Sequence, residues 1–139
     1  MNAYIWAILT ALTWGCVPLI EKMGLARLEP QVGLFYRCFG VLAGIALLLI
    51  FYAKEIRASW AHWHSGMVFV MLGGFLASVV GQLFFYHALK TGEASRVVPL
   101  GATYPLVAFV LGVLILGEKV TVAKTAGIAL VLSGVYFLR

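Results

Sequence analysis

The residues best suited to chemistry in this chain are polar groups set singly within long apolar runs. Gly74, Ser78, Gln82 and Tyr86 recur at every fourth position, a spacing that lines them along one face of a helix. A carboxamide beside a phenol supplies both donors and acceptors, which is what holding a polar solute requires. Trp6, Thr10 and Thr13 form a similar stripe with Trp14 beside it, and Thr103 and Tyr104 stand between Pro99 and Pro105. Arg37 is a full charge about five residues inside an apolar run. Two readings of it stand open: it reaches back to the headgroups, or it coordinates an anion.

The stripes also have two readings. Small and hydroxyl residues let helices approach closely and bond across, and for any single Ser or Thr such packing is the simpler account. Gln82 with Tyr86 favours a cavity, because a bare carboxamide among hydrocarbon is costly. Pro99 fits the first turn of a helix after a Ser95 N-cap. Pro105 lies deeper and should kink or loosen its helix, either as a bend or as part of a site. Gly40 with Gly44, and Gly73 with Ala77 and Gly81, are small-residue pairs that permit close helix contact.

Enzyme signatures are missing. The sequence holds no HExxH, no GxSxG, no glycine-rich phosphate loop and no carboxylate pair. Glu21, Glu29, Glu55, Glu93 and Glu118 all fall at or near the ends of apolar runs. We therefore expect no enzyme, no catalytic residue, no cofactor and no metal. His62 and His64 lack a third ligand nearby and, with Trp60 and Trp63, suit the headgroup belt. Cys16 and Cys38 lie in apolar runs, where two buried free thiols are expected.

What must position these residues follows from composition. Of 139 residues, 63% are hydrophobic and only 11% charged, against about 45–50% and about 25% in soluble domains. Only a bilayer can take up so much apolar surface. The formal charge of +5 is spread one or two residues at a time, with no basic stripe for nucleic acid. Hydropathy predicts an all-α integral membrane fold, one domain over residues 1–139, with spans at about 3–20, 32–53, 66–89, 97–117 and 120–138. The first is read as a retained helix in preference to a signal peptide, since it lacks a basic start and a small-residue cleavage site. Short connections make consecutive helices antiparallel. Continuous apolar runs exclude a β-barrel.

The order of several motifs resembles a single EamA-type repeat of the drug/metabolite transporter superfamily. They are Trp14-Gly15, Arg37, Tyr86-His87-Ala88-Leu89, Ala94-Ser95, Tyr104-Pro105-Leu106 and Gly117-Glu118, followed by Gly127 and Gly134. The resemblance runs over essentially the whole chain. It implies a five-transmembrane-helix bundle, half of an inverted-repeat transporter, carrying small metabolites or drugs outward through a cavity between two repeats. The related small multidrug carriers place an acidic residue inside their first span. The expected first span here has none, so their proton coupling does not carry over.

An odd number of spans puts the two termini on opposite sides, so a tandem copy would be inverted. Lys54, Arg57, Lys119 and Lys124 fall on the N-terminal side, and Lys22, Arg27, Lys90, Arg96 and Arg139 on the other. So small a bias barely sets an orientation. The expectation is a multi-pass cell-membrane carrier working by alternating access as an antiparallel homodimer, or as a heteropair with a second five-helix repeat. Trp14, Arg37, Gln82, Tyr86 and Tyr104 would contact the solute. The alternatives are a non-transporting subunit of a larger complex and a subunit of a flippase for lipid-linked substrates.

Overall fold

Continuously apolar sequence satisfies its backbone polar groups internally, and in lipid the helix is the local solution. The computed structural model describes residues 2–60 and 65–138, and its described residues are all-helical with connecting turns. The helices are α1 (Ala3–Leu25), α2 (Pro30–Phe51), α3 (Ala53–Trp60), α4 (Ser65–Phe75), α5 (Gln82–Thr91), α6 (Ala94–Gly101), α7 (Tyr104–Leu116) and α8 (Val122–Phe137). A π-helical segment, Leu76–Gly81, joins α4 to α5. His62, Trp63, His64 and Arg139, which entered the headgroup and charge arguments, lie outside the described residues.

Among the described residues, four segments are long and apolar enough to cross a membrane: 3–25, 30–51, 65–91 and 94–116. This is an integral membrane protein. The fifth expected span differs: α8 has 16 residues, or about 24 Å at 1.5 Å per residue. Exposed side chains fit lipid as the solvent. Phe69, Val70 and Met71 stand open on α4, where acyl chains cover them at no cost.

The chain divides into two compact units, residues 20–90 and residues 1–19 with 91–139. In the first, the end of α1, the start of α2 and the end of α5 bury Leu25, Leu34, Tyr86 and Leu89. α2 begins with Pro30 in its first turn, where proline costs no hydrogen bond. Gly33 permits the close fit: a Cβ there would lie 2.8 Å from Leu25 Cδ2 and 3.4 Å from the Tyr86 ring. Two lysines close this end. Lys22 Nζ donates to the Leu89 carbonyl at 2.7 Å. Lys90 Nζ donates to the Leu28 carbonyl at 2.9 Å and to Glu29 Oε1 at 2.7 Å.

In the second unit, the expected kink at Pro105 is a break. α6 stops at Gly101 and α7 restarts at Tyr104. Around the break, Thr103 N–H bonds the Leu100 carbonyl and Leu106 N–H bonds the Thr103 carbonyl. Pro105 sits in the first turn of α7, where its missing donor is harmless. Pro99 is the exception to expectation. It lies inside α6, whose N-cap is Glu93 and not Ser95. α7 ends at Gly117, whose φ of 66° is left-handed and suits a residue without Cβ. Thr121 caps α8 by accepting from the Lys124 N–H, and Lys124 Nζ pairs with Glu118 at 3.1 Å.

Cys16 and Cys38 are both free but exposed on helix surfaces, contrary to the expected burial. Thr10 and Thr13 turn their hydroxyls back to the Trp6 and Leu9 carbonyls of their own helix. These bonds satisfy the hydroxyls within the helix.

Candidate functional site

α1 continues past Ile20 to Leu25, so Glu21 lies inside a helix one turn short of its end. A carboxylate there has left bulk water and needs donors. Three side chains supply them. Gln82 Nε2 donates to both oxygens, at 3.2 and 3.1 Å. Tyr86 Oη donates to Oε1 at 2.8 Å. Arg37 Nε lies 3.3 Å from the same oxygen, and the Glu21 side chain is only 12% exposed. All four residues belong to the unit of residues 20–90.

The helices deliver these groups by simple arithmetic. Arg37 is seven residues into α2 and Glu21 four residues before the end of α1, or about 10 and about 6 Å along antiparallel helices. The two charges therefore meet at comparable depth. Gln82 and Tyr86 are one turn apart on α5. The π-helical segment just before α5 adds a further partner. In an α-helix the Gln82 amide would bond Ser78, but here it turns to the Val79 carbonyl. Arg37 Nη1 donates to the Ser78 carbonyl at 3.4 Å.

Arg37, Gln82 and Tyr86 thus come together. Arg37 is paired with a carboxylate of its own chain. Trp14 and Tyr104 belong to the other unit, and these residues are 63% and 61% exposed. Glu21 is the member that sequence reading missed, because the first span was ended at Ile20. The signal available was Arg37 itself, an intramembrane charge that calls for a partner at matching depth.

Cavities lie elsewhere. One of about 60 Å³ is apolar, between α7 and α8, lined by Thr103, Pro105, Leu106, Gly127, Ile128 and Val131 among others. An open apolar groove of about 520 Å³ runs along α2 past Val41, Gly44, Ile45 and Phe51. At the polar cluster, the donors are occupied by Glu21. Among the described residues, no three His, Cys, Asp or Glu residues gather as metal ligands.

Chemically, the arrangement is a receptor for an anionic oxygen pair: a guanidinium, an amide N–H₂ and a phenol converge on one point. Comparison with known proteins agrees with a membrane carrier. A "transporter in cobO 3'region" of Sinorhizobium sp is 29% identical, over 96% of this chain and 93% of its own length. A protein of Photorhabdus laumondii named as a 4-amino-4-deoxy-L-arabinose-phosphoundecaprenol flippase subunit, ArnF, is 29% identical over 99% of this chain and 97% of its own. A Pseudomonas aeruginosa protein is 32% identical over 91% of this chain, which spans only 44% of that relative. No solved structure matches the chain. The model of the EamA-like transporter family matches residues 1–139, and the chain belongs to that family.

Proposed function

We propose that the chain is a secondary transporter that carries small organic solutes out across the cell membrane, with no chemistry done on them. The observation that carries this reading is the convergence of Arg37, Gln82 and Tyr86 on one point inside membrane-spanning helices. Charged and polar groups set within membrane-spanning helices mark solute pathways in membrane proteins. The family assignment supports the same class of activity.

Transport needs a second half. With α8 as a fifth crossing, helped by the chain that flanks it, a unit has its termini on opposite sides. An oppositely inserted unit then completes the inverted repeat that alternating access uses. A second copy, or a related five-helix unit, fills that role. Trp14 and Tyr104 are proposed separately as solute contacts through their exposed rings.

The test is solute flux in liposomes holding only this chain. Gln82→Ala and Tyr86→Ala should each lower flux at least tenfold without changing insertion. Normal flux in both would remove these residues from the site. A second reading is favoured by the Photorhabdus relative, which is similar over nearly its full length: the chain would be one subunit of a flippase for lipid-linked substrates. That reading expects no flux from this chain alone and co-purification with a second membrane subunit.

A further inference from the structure

We propose that Glu21 is a tethered stand-in for the anionic group of the solute, so that an anion entering the site exchanges with Glu21 and brings one proton with it. The inference rests on the proposed solute role of Arg37, Gln82 and Tyr86 and adds to it the substrate class, an organic anion, and the proton taken up when that anion binds.

The donors that would hold a solute carboxylate are the ones that hold Glu21 now. Gln82 Nε2, Tyr86 Oη and Arg37 Nε all lie within 3.3 Å of its oxygens. A second anion cannot share them, because two carboxylates crowded on one guanidinium repel and neither would be fully bonded. A cation fits less well. It would displace Arg37 and find only the carboxylate, while the amide and phenol hydrogens point at it from the same side.

The exchange balances when Glu21 leaves as the acid. The Glu21 carboxylate, the solute anion and one proton stand together before the exchange, and the bound anion with the Glu21 acid stand after it. The anion takes the bonds of Arg37, Gln82 and Tyr86, and Glu21 takes one proton from water. The site keeps its net charge, and anion and proton enter together. The groups facing Glu21 are Arg37 from α2 and Tyr86 and neutral Gln82 from α5. Its neighbour Lys22 is turned to the Leu89 carbonyl. Protonation of Glu21 would remove the ion pair with Arg37, and only an arriving anion restores a charge opposite that guanidinium.

Acetate is the probe, with the full chain in detergent and chloride at equal ionic strength as reference. Removing the carboxylate in Glu21→Ala should leave an anion-sized site, so acetate should stabilise that variant against heat at pH 7. It should do so far less in the native chain, and not in Glu21→Ala/Arg37→Ala. In the native chain, acetate should bind more tightly as the pH is lowered over the range in which acetate stays ionised, and Glu21→Gln should abolish that dependence. Glu21→Gln also serves if Glu21→Ala fails to fold, and it should bind acetate more tightly than the native chain at pH 7. Equal acetate effects in native and Glu21-substituted chains, or a pH slope that survives Glu21→Gln, overturn the stand-in. The transport reading fails separately: it falls if flux ignores Gln82→Ala and Tyr86→Ala, whatever acetate does.

Discussion

Within the cluster, each bond to Glu21 is charge-assisted and only partly screened by solvent, so single-atom changes should be measurable. Tyr86 is 3% exposed, and Tyr86→Phe deletes its 2.8 Å bond to Glu21 with little change of shape. The expected loss is about 1.5–3 kcal/mol, read as a lower unfolding midpoint in detergent. Gly33→Val tests the packing behind the same tyrosine. A side chain there meets Leu25 and the Tyr86 ring, and overpacking of this kind costs about 1–3 kcal/mol. If Gly33→Val unfolds at the native midpoint, Leu25 and Tyr86 do not press on that position. Of the cluster, Arg37, Gln82 and Tyr86 were legible as types and spacings. Glu21 was not, because its partners lie 16, 61 and 65 residues away and a hydropathy boundary at Ile20, short of the helix end at Leu25, leaves it outside the span.

Two helices carry irregularities that place the chemistry. The π-helical segment Leu76–Gly81 widens the helix before Gln82 and turns the Gln82 amide from Ser78 to Val79. Such segments are rare and concentrate at functional sites. Deleting Val79 should let the helix close regularly and draw the Ser78 carbonyl back into the helix ladder, away from Arg37 Nη1. The expected outcome is full membrane insertion with a lower unfolding midpoint in detergent; an unchanged midpoint would mean that the π turn does not serve Arg37. The break between α6 and α7 is the other irregularity. The proline pattern announced an interruption near Pro105. It did not distinguish a bend from two helices, since that depends on whether Thr103 bonds forward or back. The Gly74–Ser78–Gln82–Tyr86 stripe was drawn on an ideal α-helix, and the π segment shifts its phase between Gly74 and Gln82.

At the scale of the molecule, the apolar composition and the four long apolar segments demand a bilayer, whereas the crossing number turns on α8. A reporter fused after residue 139 should give signal on the side opposite the N-terminus if α8 crosses, and on both sides of the membrane if copies insert both ways. Signal confined to the N-terminal side would leave four crossings and remove the inverted pair. Membrane class and family motifs were fixed by the sequence alone, because hydropathy and local spacing are properties of neighbouring residues. The carboxylate at the centre of the site, the partner of Arg37 and the turn that aims Gln82 were decided only by tertiary structure. Each depends on where separate helices end and how deep their side chains meet, and no local pattern encodes that.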